Sequence, residues 1–441
     1  MLNPPLFPMT ASPNAFPKKQ IFSNSNKLLK QLEYVFKNSA FYRSKLGSYF
    51  SESNSLAVDF FELPFTTKNE VLDDQKSNPP YGSNLCVSPK DIKRIHSTSG
   101  TTNRPLLIAM TKNDIDQTVA VGKKCFSSSG VTERDTVVHC LSYNMWMGGY
   151  TDHQSIEASG ATVIPFGVGN TNRLIETILN IRPTAIHCTP SYLSKIELIL
   201  KRDFNLQPID LGLKLGLFGA ESGLQNPNYR KSIEQSWGIK AMNANYGMAD
   251  VLSMFGSECV YQNGLHFMGG DILFPELIDP QTEESLKIEK DAEGELILTN
   301  LARESQPLIR YRTKDVVKIL SNESCKCGES GFRFEIIGRS DDMITIKGVN
   351  VFVNSIDKII SNHLELLTGV FQIHISKSDP ISEILLRIEL KPTLSIPEDE
   401  FKDHLMLEFK NKLSVKPDID LLPEGSLPRT EGKSKKAFRS L

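Results

Sequence analysis

The sequence predicts an α/β protein with a large N-terminal α/β domain that carries a β subdomain, followed by a small C-terminal α+β domain. Three observations lead there. The chain has 441 residues, enough for two or three domains. From about Thr136, short apolar runs rich in β-branched residues are mostly separated by helical patterns, the layout of a mostly parallel sheet. Beyond Gly338 the pattern reads strand, strand, helix, strand, strand, helix, strand, the order of a small α+β domain.

Element by element, Leu28, Leu29, Leu32, Val35 and Phe36 form one apolar helical face after an irregular leader. Ile92 to His96 reads as a strand, followed by the runs Thr136 to Leu141, Ala161 to Phe166, Thr184 to Cys188, Lys214 to Phe218 and Lys240 to Ala244. Helical patterns at Leu174 to Leu179 and Leu193 to Leu200 lie between them. From Leu265 turns become denser, and Gly294 to Thr299 and Leu308 to Leu320 read as antiparallel strands of the β subdomain. The C-terminal domain is expected to hold a helix over Ser355 to Leu367, strands Val370 to Ser376 and Glu383 to Leu390, a helix Pro397 to Leu413 and a strand near Ile419. The domain boundary falls at 338/339: residues 1–338 form the N-terminal domain, with its β subdomain near 255–335, and residues 339–441 the C-terminal one.

Composition narrows the function. Fifty Lys plus Arg against 52 Asp plus Glu leave a net charge of −2, which gives no field to concentrate nucleic acid or anionic lipid. No uncharged stretch approaches the length of a membrane span, and the start has no apolar core for a signal peptide, so a cytoplasmic address is expected. Seven cysteines, an odd number thinly spread, argue for reduced thiols or a metal site rather than a disulfide framework. The one local charge excess is the tail Leu421 to Leu441, with five basic residues against two acidic.

Ser97-Thr98-Ser99-Gly100-Thr101-Thr102, directly after the first strand, gathers hydroxyls around a glycine that can turn successive N–H groups toward one anion, as a phosphate cradle requires. A polar surface loop is the bland alternative. Four further segments stand in order: Phe218-Gly219-Ala220-Glu221-Ser222, Asn245-Tyr246-Gly247-Met248-Ala249-Asp250, Arg310-Tyr-Arg-Thr-Lys-Asp315, and Gly338-Arg339-Ser-Asp341-Asp-Met343 followed by Lys347-Gly348. With Leu427-Pro-Arg-Thr-Glu-Gly-Lys433 near the end, they occur in the order and spacing of the adenylate-forming superfamily. The chain resembles phenylacetate–coenzyme A ligases in particular, from about Leu28 to its end.

That resemblance implies the adenylate-forming enzyme fold and a role for each motif. ATP would be bound by the Ser97 to Thr102 loop, with Thr101 at the reacting phosphate, by Gly219, Ala220 and Glu221 at the adenine, and by Asn245, Tyr246, Gly247 and Met248. Asp315 would accept the ribose hydroxyls, and Arg339 would add a ribose or phosphate contact. Asp250 would hold Mg²⁺, and Lys433 would bridge the substrate carboxylate and the α-phosphate, a point-charge role suited to lysine. Asp341 lies at the hinge about which family members rotate the small domain between half-reactions, a motion that brings the segment near Lys347 to the site. By the same analogy Tyr143, Trp146, Met147, Gly148 and Gly149 line the acid pocket, the glycines letting backbone approach a flat ring.

Cys325-Lys-Cys327-Gly, with Cys259 and His266 upstream, supplies three sulfur ligands and one nitrogen, a closed set suited to structural zinc; unligated thiols and a surface histidine are the alternative. The sequence departs from the family at Asn103-Arg104, where Gly-Lys is usual, at Ala249-Asp250 in place of Ser-Glu, and at Val353 in place of Pro. The expected activity is ATP-dependent activation of an aryl or arylacetic acid to acyl-AMP, then thioester formation with coenzyme A. Rival readings hand the acyl group to an amine, a carrier protein or a reductase partner, or retain nucleotide binding without catalysis. A homodimer is what the resemblance implies; the small carboxylic acid is the expected partner, with no nucleic acid and no membrane.

Overall fold

The first described helix packs through its apolar face. The structure is a computed structural model that describes residues 18–51, 56–98, 105–221, 223–341, 343–346, 349–376, 383–392, 397–429 and 436–439. The helix Lys18–Asn38 buries Leu28, Leu32 and Val35 against Tyr42, Leu46, Phe60, Leu63 and Ile309, as its apolar spacing requires. The chain divides into two compact units, Met1–Gly167 with Asn243–Glu335, and Val168–Met242 with Ile336–Leu441.

In the first unit the antiparallel hairpin Arg94–Ser97 with Leu107–Met110 precedes the helix Lys112–Ser128, whose start is capped by a reciprocal Thr111 and Asp114 pair. Strands Thr136–His139 and Thr162–Pro165 pair in parallel, and the helix Met147–Ala158 connects them, a βαβ unit. Further strands pair antiparallel. Lys240–Met248, which enters from the second unit, pairs with Leu252–Glu258, and that strand with Leu265–Phe267. Leu273–Ile278 pairs with Glu293–Asn300, and Glu293–Asn300 with Tyr311–Ser321.

The turn into Tyr311–Ser321 rests on a buried ion pair. Arg310, with φ of 46°, is 3% exposed and its Nη2 lies 2.8 Å from Glu276 Oε1, itself 4% exposed. Its Nη1 donates to the carbonyls of Phe61, at 2.6 Å, and Leu63, and its guanidinium lies over the Phe65 ring at 4.2 Å. Every donor group of the fork meets a partner, the condition under which a buried charge is tolerated.

The second unit contains the parallel pair Ala185–Cys188 with Leu215–Gly219 and the helices Thr171–Ile181, Pro190–Ile199 and Pro227–Trp237. Its C-terminal part is a four-stranded sheet in the order Asp418–Leu422, Ile384–Leu390, Leu367–Ile375, Ala437–Arg439, with the central pair antiparallel and both outer pairs parallel. Ile356, Ile359, Ile360, Phe371, Ile373, Leu386, Phe401, Leu405 and Phe409 form its core with the helices Val353–Ile360 and Glu398–Leu413.

Two expectations change. The helix read over Ser355 to Leu367 ends at Ile360 and passes into a 3₁₀ turn Ser361–His363. Leu367, which suits the helical period, is instead the first ladder residue opposite Leu390. The basic tail also supplies a strand, Ala437–Arg439. No described helix is long and apolar enough to cross a membrane.

Arg310→Ala leaves Glu276 a buried, uncompensated charge and should cost about 3–5 kcal/mol, read as a lowered urea midpoint; an unchanged midpoint would remove the pair from this role.

Candidate active site

The nucleotide motifs of the first unit meet on two strands. Asn245, Tyr246 and Gly247 end Lys240–Met248, and Tyr246 stands opposite Gly256. Gly247 is required by contact: a Cβ there would lie 2.2 Å from the Ser253 carbonyl oxygen. Tyr246 is set edge-on to Phe255 and Phe334, with ring centroids 5.0 and 5.5 Å away. Its hydroxyl donates to Asp315 Oδ2 at 2.7 Å, so a tyrosine expected to bind ATP and the aspartate expected at the ribose touch each other. Asn245 donates from its side-chain amide to Asp152, whose carboxyl burial pushes well above the usual carboxylate range.

Asp250 is 6% exposed. Its Oδ2 accepts the Tyr311 hydroxyl and lies 3.3 Å from the Lys68 ammonium, while Arg303 Nη1 donates to its backbone carbonyl at 2.7 Å. The carboxylate one methylene shorter than the family's glutamate is thus gripped by the strand that carries Asp315 and by the start of the helix Lys68–Ser77.

At the phosphate loop, Thr98 and Leu106 close the base. Thr98 N–H donates to the Leu106 carbonyl at 2.9 Å and Leu106 N–H to Thr98 Oγ1 at 3.0 Å. Ser99, Gly100, Thr101 and Thr102 lie outside the described residues. Ser97 N–H donates to the Met145 carbonyl at 2.9 Å, so the strand that leads into the phosphate loop is joined to the proposed acid loop.

That acid loop, Ser142 to Gly149, is held by two buried imidazoles. His139 Nε2 donates to the Gly149 carbonyl at 2.7 Å, and His96 Nδ1 lies 3.2 Å from the Met145 carbonyl. Burial pushes His139 down to about 3 and lowers His96 as well, so both are neutral and each has one N–H to give. Met145 takes a positive φ of 59°, Trp146 caps the helix Met147–Ala158, and Met147 is buried. Gly149 leaves no room for a side chain, since a Cβ would fall 1.9 Å from the Ser142 carbonyl; at Gly148 the nearest atom is 3.5 Å away. The Tyr143 hydroxyl meets His153 Nδ1 at 2.9 Å.

In the second unit Gly219 ends its strand, and Ala220 turns the chain with φ of 65°. Glu221 Oε2 accepts the Ser191 N–H at 3.2 Å, a carboxylate at the N-terminus of the helix Pro190–Ile199. Arg339 pairs with Asp341 through two hydrogen bonds of 2.9 and 2.8 Å, both side chains being half-exposed. Lys347 and Lys433 lie outside the described residues. The segment before Lys433 is anchored: Arg429 forks onto Glu389 at 2.8 and 2.6 Å, and Leu427 N–H donates to the same buried carboxylate at 2.6 Å.

Cys259, His266, Cys325 and Cys327 converge, with their ligand atoms all within 4.8 Å of one another. Cys259 Sγ and Cys325 Sγ are 3.9 Å apart, and Cys327 Sγ is 3.7 Å from His266 Nε2. A tetrahedral zinc with Zn–S of about 2.3 Å has sulfur–sulfur edges of about 3.8 Å, so the donor set has the size and softness of such a site. Burial pushes His266 down to about 4, the neutral form a metal needs.

Residues 42–300 match the AMP-binding enzyme family and residues 348–439 the AMP-binding enzyme C-terminal domain. A phenylacetate–coenzyme A ligase of Pseudomonas putida is 31% identical over 433 residues, 96% of this chain and 94% of that one. The chain belongs to the phenylacetate–coenzyme A ligase family. A Thermus thermophilus phenylacetate–coenzyme A ligase is 30% identical over 94% of this chain and 95% of its own. A crystal structure of 2-hydroxyisobutyryl-CoA ligase in the postadenylation state with 2-HIB-AMP superposes with a TM-score of 0.87 at 25% identity, covering 100% of this chain and 94% of that one. As a member of this ligase family, the protein is an AMP-forming acid–thiol ligase: ATP activates a carboxylic acid to acyl-AMP, and coenzyme A thiol then displaces AMP.

Several residues that contact the expected site residues carry no role in the sequence reading. Arg310, Tyr311 and His96 stand inside or beside the motifs, where a signal was present. Lys68, His139 and Asp152 have no motif of their own and are found only through their partners.

The two glycines separate cleanly by experiment. Gly149→Ala should collapse the acid loop and abolish acid activation, whereas Gly148→Ala should keep most activity; equal effects would show that the Ser142 approach is not limiting.

Proposed function

We propose that the acid is an aryl or arylacetic carboxylate, with phenylacetate the first candidate, and that the reaction runs on Mg²⁺-ATP in the cytoplasm. The observation that carries this reading is the similarity to the Pseudomonas putida phenylacetate–coenzyme A ligase along 96% of the chain. The acid loop supports it, because Tyr143 and Trp146 supply aromatic rings beside Gly148, where a Cβ would meet nothing closer than 3.5 Å.

In this reading Tyr246 stacks on adenine with its ring orientation fixed by Asp315, which accepts the ribose hydroxyls, while Gly219, Ala220, Glu221, Asn245, Gly247 and Met248 complete the nucleotide site. Ser97 to Thr102 hold the phosphates, with Arg339 as a further contact. A carboxylate oxygen of the acid attacks the α-phosphorus as the bond to pyrophosphate breaks, and Lys433 offsets the negative charge that develops. The coenzyme A thiol then loses its proton and attacks the acyl carbon, and AMP leaves with the electron pair of the broken C–O bond. Asp250 would hold Mg²⁺ with the carboxylate that Tyr311 and Lys68 position through Oδ2. Mg²⁺ held there would supply positive charge against the phosphates. Asp341 serves as the hinge, Lys347 approaches for the second half-reaction, and the protein works as a homodimer. Cys259, His266, Cys325 and Cys327 hold one structural zinc.

Purified protein with Mg-ATP and a panel of acids, with and without coenzyme A, is expected to give acyl-AMP and acyl-CoA by mass with arylacetic acids. Acyl-AMP alone would move the acceptor to an amine, a carrier protein or a reductase partner, and no product from any aryl acid would reject the aryl assignment.

Metal analysis should find about one zinc per chain bound by the cysteine set, lost together with thermal stability in the double variant Cys325→Ser/Cys327→Ser. Metal-free protein of equal stability would eliminate the zinc.

A further inference from the structure

A second set of side chains able to ligate a metal lies in the C-terminal part of the second unit, outside the sequence motifs discussed above. His404 and Glu408 are one helical turn apart on Glu398–Leu413 and so share a face. His363, at the end of the 3₁₀ turn Ser361–His363, packs against them, its ring 5.5 Å from that of His404 and nearly perpendicular to it. One donor atom from each of the three lies within 4.8 Å of the others. His363 and Glu408 side chains are each 14% exposed, and His404 is exposed, so the set opens to solvent.

The chemistry of His363 supports a ligand role. Its Nε2 lies 2.6 Å from Glu408 Oε2, and its Nδ1 lies 3.9 Å from Glu365 Oε1. The carboxylate can only accept, so the short contact is an Nε2–H donated to Glu408, and a divalent ion bound between the two takes the place of that proton. Two imidazoles and one carboxylate suit a borderline divalent ion such as zinc, cobalt or nickel rather than magnesium or calcium, which take oxygen ligands. Metal–ligand bonds of about 2.0–2.2 Å require the donors to close by small side-chain rotations. The ammonium of Lys412 pairs with Glu408, and Asn362 Nδ2 lies 3.5 Å from Glu408 Oε1, so an incoming ion competes with Lys412 for the carboxylate.

We propose that His363, His404 and Glu408 form an exchangeable divalent transition-metal site that ties the turn Ser361–His363 to the helix Glu398–Leu413, with water completing the coordination. It differs in kind from the cysteine set: three protein ligands without sulfur leave open positions, whereas four ligands rich in thiolate close the shell.

The test is a Co²⁺ titration of the full-length protein, followed by visible absorption and by thermal melting. Wild type should take up one cobalt per chain with weak ligand-field bands and no sulfur-to-cobalt charge-transfer band, and should melt higher for it. His404→Ala, a change at an exposed position, and Glu408→Gln should each weaken this uptake at least tenfold without altering the metal held by the cysteine set. Lys412→Met, which removes the competing ammonium, should tighten it. No sulfur-free cobalt uptake by wild type, or uptake in both ligand variants within tenfold of wild type, overturns the site. The readout needs no turnover, so it stands apart from the choice of acid.

Discussion

The buried pair of Arg310 and Glu276 sets the geometry on which the nucleotide side of the first unit depends. A guanidinium held under protein is tolerable only when its donors are used, and here a carboxylate and two backbone carbonyls from the segment around Phe61 and Leu63 take them up. The positive φ of Arg310 then launches the strand Tyr311–Ser321 in a fixed register. Its first residue, Tyr311, meets Asp250, and Asp315 meets Tyr246. Arg310, for which no binding role is proposed, thus aligns Asp250, Asp315 and Tyr246, the groups proposed for Mg²⁺, ribose and adenine.

The acid loop is organised by a different device. His139 and His96 are buried where their charged forms are disfavoured, and each spends an N–H on a loop carbonyl. Because the folded value for His139 is depressed to about 3 from an ordinary 6.5, the unfolded chain takes up the proton first as pH falls. Its contribution to stability is therefore intact above about 6.5 and declines below it. Around neutral pH neither imidazole changes charge, which keeps the loop geometry independent of small pH changes.

Much of the architecture was legible in the sequence because buried parallel strands read as continuous apolar runs, as at Ala185–Cys188 and Leu215–Gly219. The helix expected through Leu367 failed where local period and ladder pairing compete for the same leucine. The strand Ala437–Arg439 was illegible for a plainer reason: it is short and basic, and only its partner Leu367–Ile375, far back in the chain, makes it a strand. The site divides similarly. Tyr246 and Asp315 announce themselves within motifs, but that one holds the other is a tertiary fact, and so is the grip of Lys68 on Asp250. The convergence of Cys259, His266, Cys325 and Cys327 was legible because a tight thiol pair with a second Cys and His upstream invites that pairing.

The tail shows what anchoring implies for reach. Arg429 is fastened to Glu389 on one side of Lys433, and on the other the Lys436 carbonyl accepts the Ile373 N–H at 2.7 Å before the chain joins the sheet. Lys433 is four chain steps from the first mooring and three from the second. At about 3.3–3.6 Å per extended residue, the tether from Arg429 spans at most about 14 Å and that from Lys436 about 11 Å. Lys433 is therefore leashed to its own sheet, and any greater distance it covers during a catalytic cycle must be travelled by the sheet that carries it.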